Sequence, residues 1–197
     1  MELDNKVCVI TGAASGIGAA TCRAFAAKGA RVVVADINVE GARQVAEEIG
    51  GLAIACDVSV EAEVNNLVAE SEKQFGPIDL FFNNAAVATG GNPLETPIDV
   101  WQDQWNINVM AHVYAVRAVL PGMLARGQGY LLHTASMAGI LTSQGNLPYA
   151  TTKHAVVGLA EWLSISYHDK GIRVSLLAPL GVRTPMLGDI SSPFAVS

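Results

Sequence analysis

The sequence predicts an α/β fold, a doubly wound parallel sheet of about six strands with helices on both faces. Three observations predict it. Short apolar runs alternate with longer amphipathic ones along the chain. The short runs are almost free of polar residues, as strands buried on both faces are. The irregular stretches "AAVATGGNPLET", "ASMAGILTSQGN" and "PLGVRTPMLGDISSPFAVS" all come directly after an apolar run. They therefore gather at the edge of the sheet formed by the C-terminal ends of the strands, where open α/β sheets bind ligands.

The strands are read, in order, as "KVCVIT" (6–11), "RVVVA" (31–35), "LAIAC" (52–56), "IDLFF" (78–82), "GYLLHT" (129–134) and "RVSLLA" (173–178). The first helix covers 16–28 and ends at Gly29. The second covers 39–49, with Asn38 as its N-cap and Gly50-Gly51 as its stop. The third covers 60–75, preceded by Ser59, with Glu61 and Glu63 facing the positive end of its dipole and Gly76-Pro77 ending it. Two long helical stretches follow, at 97–126 and 147–169. No linker, repeat or low-complexity run divides the 197 residues, so one domain spanning 1–197 is expected.

Composition sets limits on function. Half of the chain is apolar (51%), only 15% is charged, and the net charge is −6. A large core follows, and there is no electrostatic case for nucleic acid or an anionic membrane. No run reaches the roughly 18 uninterrupted apolar residues of a membrane span. The start, MELDNKV, lacks the apolar core of a secretory signal. Cys8, Cys22 and Cys56 show no metal-ligand or CxxC spacing, so free thiols in a reducing cytoplasm are expected and no metal site is. His112 and His133 read as core residues, and Trp101, Trp105 and Trp162 as packing residues.

After the first strand comes "TGAASGIG", with Gly12, Gly16 and Gly18. Small residues between a strand and a helix let the backbone turn tightly and approach a pyrophosphate, which the helix N-terminus then favours. Asp36 ends the second strand. A carboxylate there accepts the hydroxyls of an adenosine ribose and repels a 2′-phosphate, which selects NAD over NADP. No Lys or Arg in the glycine loop offsets that repulsion.

The chemistry-bearing stretch is "PYATTKHA" (148–155). On a helix Tyr149 and Lys153 share a face. A phenol of pKa about 10 is a poor base at neutral pH, and a nearby ammonium favours its ionised form. The pair reads as a general acid/base with its activator. Ser136, just past the fifth strand, reaches the same edge with a hydroxyl able to bond a substrate oxygen.

These residues together resemble the short-chain dehydrogenase/reductase family. TGAASGIG, Asp36, Asp57, "NNAA" (83–86), Asn108, Ser136, "YATTK" (149–153) and "PLGVRTPM" (179–186) fall in the family's order. The resemblance implies a Rossmann-like sheet, and Ser136, Tyr149, Lys153 and Asn108 as the catalytic set. In it Lys153 also holds the nicotinamide ribose, and Asn108 orders a water that links the lysine to solvent. Cofactor contacts carried over with it are Gly12, Ser15, Gly16, Ile17, Gly18, Asp36, Ile37, Asp57, Val58, Asn84, Tyr149, Lys153, Pro179, Val182 and Thr184, with Asn84 beside the adenosine ribose. It also implies a homo-oligomer formed through the helices at 97–126 and 147–169. The chain departs from the pattern at Ala86, where glycine is usual, and at Leu180, where Pro-Gly is usual. The family's substrate-covering helices and seventh strand are not found within these 197 residues.

The expected activity is hydride transfer between NAD and a secondary alcohol or ketone. A dinucleotide-binding module without activity and an NADP-dependent reductase are the alternatives. The expected substrate walls are Ala86, Val87, Met137, Leu141, Thr142, Asn146, Met186 and Leu187, which are mostly apolar.

Overall fold

The structure, a computed structural model, describes residues 1–184 and 186 and the backbone of 195–196. Leu187 lies outside them. Six parallel strands form one sheet in the order β3-β2-β1-β4-β5-β6. They are β1 (Val7–Thr11), β2 (Arg31–Asp36), β3 (Leu52–Ala55), β4 (Leu80–Asn83), β5 (Gly129–Thr134) and β6 (Ile172–Leu177). The chain runs outward from β1 to β3, then returns to β4 on the other side of β1. That reversal opens a crevice at the C-terminal ends of β1 and β4. A short pairing of Gly181–Val182 with Ala195–Val196 lies apart from this sheet.

Alternation along the strands builds two cores. Cys8, Ile10, Val32, Val34, Leu80 and Phe82 pack with Ala19 and Cys22 of α1 (Gly16–Ala26) and with Ala42 and Val45 of α2 (Val39–Ile49). The intervening residues Val7, Val9, Val33, Phe81 and Leu131 pack with Leu67 of α3 (Glu61–Phe75), Val116 of α5 (Ala111–Arg126) and Leu163 of α6 (Leu147–Tyr167). The central strands are therefore buried on both faces. The two edge strands are not: β3 is only partly covered, and Leu177 of β6 is 37% exposed. Each has a neighbour on one side only.

Two details refine the expected helices, and one expectation needs correction. The stretch 97–126 is helical throughout Ile98–Arg126, as expected, but it is not uniformly α. It is α4 (Ile98–Trp105), a π-helical turn over Asn106–Met110, and α5. The extra residue in that turn accompanies the inward bonds of Asn108 described below. Ser59 precedes α3 without capping it. Its backbone N–H and hydroxyl both donate to Asp57 Oδ1, at 2.9 and 2.7 Å, and the helix begins at Glu61. Trp162 does not pack inside. It is 59% exposed on α6, near Ile165 at 84%. By length and composition 98–126 is apolar enough to cross a membrane. Here Val109, Ala115, Val119 and Met123 are buried in the core.

Candidate active site

The phosphate end is shaped by backbone. Gly12 has φ +62°, and a Cβ there would lie 2.7 Å from the Ala85 Cα. A Cβ on Gly18 would lie 2.2 Å from the Gly12 carbonyl oxygen. Gly16, at φ +53°, faces the Thr184 side chain. The loop is thus closed tightly onto β4 and onto the segment after β6, bringing together three regions read separately in the sequence. Ser15 precedes α1 without capping it through its side chain, and the first turn of α1 holds no acidic residue. The first N–H groups and positive dipole end of α1 therefore fit an anionic pyrophosphate.

Asp36 is preorganised. One carboxylate oxygen accepts from the Ala14 N–H at 2.9 Å and the other from the Asn38 N–H at 2.8 Å. Each oxygen keeps a lone pair, which suits a ribose diol. Ile37 beside it is 70% exposed, while Val58 is buried. One oxygen of the Asp57 carboxylate, Oδ1, is taken by Ser59. Asn84 is committed to the scaffold. Its amide donates to the Thr11 and Gly12 carbonyls at 3.0 and 3.2 Å and accepts from the Thr134 hydroxyl at 3.1 Å. It pins the ends of β1, β4 and β5 together.

At the chemical end, Ser136 follows β5 and caps a single 3₁₀ turn, Met137–Gly139, by accepting the Ala138 N–H at 3.1 Å. Gly139 packs backbone-on-backbone against α6, where a Cβ would lie 2.6 Å from the Lys153 carbonyl. This glycine sets the distance between Ser136 and the Tyr149 helix. Sequence reading missed it; the signal was a glycine three residues past the serine.

Lys153 is completely buried. Its Nζ donates to the Thr134 carbonyl at 2.8 Å and sits 5.5 Å from the centroid of the Tyr149 ring. Burial pulls its pKa down to about 7. Burial also raises the Tyr149 phenol, and the Ser136 hydroxyl works against that rise. This corrects the expectation that the lysine charge holds the phenol down. The lysine here is hydrogen-bonded to a main-chain carbonyl, in a site dry enough to weaken its own charge.

Asn108 is buried within the π turn. Its Oδ1 accepts the Val87 N–H at 2.9 Å, and its Nδ2 donates to the Val87 carbonyl at 2.9 Å and to the Thr152 hydroxyl at 3.1 Å. Thr152 donates in turn to the Tyr149 carbonyl at 2.8 Å. Asn108 therefore clamps the loop after β4 to α6. Both of its donor hydrogens are used, which leaves any water to a free lone pair on Oδ1.

Two departures from the family's pattern are accommodated. The only non-glycine residues at positive φ among those described are Asn5 and Thr142, so Ala86 is unstrained. Leu180 is 60% exposed and lines, with Met137, Ala178, Gly181 and Val182, a cleft of about 320 Å³. Met137 was expected as a substrate wall and Val182 as a cofactor contact; Pro179 adjoins the cleft and its carbonyl accepts the Met137 N–H at 3.0 Å. Thr142, at φ 81°, is a β-branched residue held in a strained conformation in the loop before α6.

The sequence model of the family described as short chain dehydrogenase matches residues 6–193. A 2,5-dichloro-2,5-cyclohexadiene-1,4-diol dehydrogenase of Sphingobium indicum is 40% identical, over 94% of this chain and 76% of its own. A cyclohexanol dehydrogenase of an Acinetobacter species is 37% identical, over 95% of this chain and 77% of its own. The crystal structure of a 3-ketoacyl-(acyl-carrier-protein) reductase from Brucella melitensis, complexed with NADH, superposes with a TM-score of 0.92 at 33% identity, covering 96% of this chain and 81% of that one. The crevice at the β1/β4 reversal, with its glycine cradle and buried Tyr–Lys helix, is thus a nicotinamide-dinucleotide site on an oxidoreductase scaffold, and the chain belongs to the short-chain dehydrogenase/reductase family.

Proposed function

We propose that this protein is an NAD-dependent dehydrogenase that interconverts a neutral, lipophilic secondary alcohol and its ketone. The observation that carries the reading is the convergence of Ser136, Tyr149 and Lys153 at the end of β5, on the edge that also bears the glycine cradle. Ser136 lies beyond the strand end with its hydroxyl next to the phenol and binds the substrate oxygen. Tyr149 takes the hydroxyl proton as the phenolate when an alcohol is oxidised, and returns one as the phenol when a ketone is reduced. A dinucleotide held by its pyrophosphate in the cradle would supply the hydride acceptor or donor through its nicotinamide. Lys153, at a pKa of about 7, sits at the protonation balance of a working acid/base at neutral pH. Asn108 and Thr152 hold the helix that carries both residues.

The substrate class rests on the apolar cleft wall of Met137, Leu180 and Val182 and on the names of the relatives, which act on ring alcohols and diols. The cofactor preference rests on Asp36, whose charge repels a 2′-phosphate. The test is a spectrophotometric screen of cyclic alcohols and ketones with NAD and NADP. Turnover with NAD is expected, and Asp36→Asn is expected to narrow the NAD:NADP preference about tenfold, roughly 1.4 kcal/mol. Equal parental rates with NADP would refute the preference. NAD binding with no absorbance change across the panel would make the chain a binding module.

A further inference from the structure

One buried polar cluster next to the site takes no part in the chemistry above. Asn83 of β4 and His133 of β5 are register partners in the parallel sheet, so their side chains leave the same face. That face carries Phe81 and Leu131 and is covered by α3, α5 and α6. His112, in the first turn of α5, meets it there. Its Nδ1 lies 2.9 Å from Nδ1 of His133, with ring centroids 5.2 Å apart and planes inclined by 17°. Both rings are buried, at 1% and 0% exposure.

Imidazole chemistry limits what this contact is. A hydrogen bond between two Nδ1 atoms needs one proton and one lone pair. The ring that donates carries its lone pair at Nε2; the ring that accepts carries its hydrogen at Nε2. Two rings with like tautomers repel. The groups that act on the pair agree with a neutral state. Burial lowers His133 to about 4. Burial first, then His133 from β5 and Lys153 from α6, lower His112 well below its ordinary value.

Nε2 of both rings and Nδ2 of Asn83 are buried without a partner among the described residues. Thr11, Asn83 and His112 form the polar wall of a cavity of about 10 Å³, otherwise lined by apolar side chains such as Val64, Phe81 and Ala115. That is about the room one water needs, and Asn83 and His112 supply the two polar partners it requires.

We propose that His112 and His133 form a pair of unlike neutral tautomers sharing one Nδ1 proton, with a single water between His112 and Asn83, and that this unit positions Lys153. The positioning half rests on the role given to Lys153 above. His133 immediately precedes Thr134, whose carbonyl holds the lysine Nζ at 2.8 Å. His112 lies one turn past Asn108, which holds Thr152 beside the lysine. The imidazole bond therefore ties β5, which carries the lysine's acceptor, to α5, which is continuous with the clamp on the lysine's helix. Apolar rings or chains of similar size fill the space without fixing that distance.

The pair is tested by ¹⁵N imidazole spectra of the full chain, whose four histidines are few enough to assign with single variants. One ring is expected as the Nδ1–H form and the other as the Nε2–H form, neither titrating between roughly pH 5 and 8. Like tautomers, or titration near the ordinary value, overturn the pair. The water is tested by a high-resolution crystal structure, where a peak within hydrogen-bond reach of Asn83 Nδ2 and His112 Nε2 is expected and a dry cavity refutes it. Positioning is tested with His133→Leu and His133→Asn. Leucine is expected to lower kcat about tenfold with little change in cofactor Kd. Asparagine, which keeps a donor toward His112, is expected to restore most of that loss. Equal kcat in the two variants overturns positioning. If the parent shows no turnover, the same comparison is read from the ¹⁵N shift and pKa of Lys153 Nζ. Leucine is then expected to move them and asparagine to leave them near the parent, so failure of the activity and failure of the pair remain distinct.

Discussion

The two ends of the cleft hold their function by different means. At the phosphate end the work is done by shape: Gly12, Gly16 and Gly18 remove atoms, and the α1 N-terminus supplies N–H groups. At the chemical end it is done by side chains whose proton affinities are moved by burial, drawn from β5, the π turn and α6. The first kind of site fails when an atom is added. The second fails when one is taken away.

The sharpest break is expected at the chemical end. Tyr149→Phe removes only the hydroxyl of a partly buried ring, so the fold and the cradle stay intact. Turnover is expected to fall by about 10²–10⁴-fold, with NAD affinity by calorimetry nearly unchanged. Parental turnover in this variant would remove Tyr149 from the mechanism.

Gly12→Ala is expected to show the reverse pattern. It forces a Cβ toward the Ala85 Cα, which would sit 2.7 Å away, at a φ of +62°. The left-handed backbone alone costs about 1–2 kcal/mol, and the loop must shift besides. NAD affinity is expected to weaken at least about tenfold while kcat at saturating cofactor falls less. A parental Kd would mean that the cradle does not approach the cofactor.

Lys153 links function to stability through pH. Its folded pKa of about 7 lies below the ordinary 10.5. Between those values the unfolded chain binds a proton that the folded chain does not, so folded stability rises with pH across this window. The penalty is greatest at or below pH 7 and is on the order of a few kcal/mol. Lys153→Met removes it. The variant's melting temperature is expected to exceed the parent's at pH 7, with the gap closing toward pH 10. A gap independent of pH would mean that the lysine stays charged when buried.

The same contrast explains what was legible in the sequence. Strands, helices and the glycine loop follow from local pattern, because apolar alternation and missing side chains are written residue by residue. Tyr149, Lys153 and Ser136 were legible as a spacing and a resemblance. Their states were not. The lysine's bond to Thr134 and the burial that lowers its pKa depend on contacts 19 residues apart in sequence. The π turn at Asn108 was hidden for the same reason, since its cause is a set of bonds to Val87 and Thr152 rather than any local helix breaker. His112 and His133 looked like two unrelated core residues, 21 positions apart, until the sheet and α5 brought them to one bond.

The smallest effect tests where backbone strain lies. The resemblance suggests strain at Ala86, where the family usually has glycine, yet Ala86 is not at positive φ, whereas Thr142 is, at 81°. Ala86→Gly therefore relieves nothing and loosens the unfolded chain, an expected loss of about 0.4–1 kcal/mol. Thr142→Gly loosens the unfolded chain by a similar amount but also releases a left-handed β-branched residue, worth about 1–2 kcal/mol. The two glycine substitutions should thus move the melting temperature in opposite directions, by roughly 1–4 °C each for a chain of this size. Calorimetry of both variants at one pH decides it. A gain for Ala86→Gly would place the strain in the loop after β4, against the cradle, and not in the loop that leads to the catalytic helix.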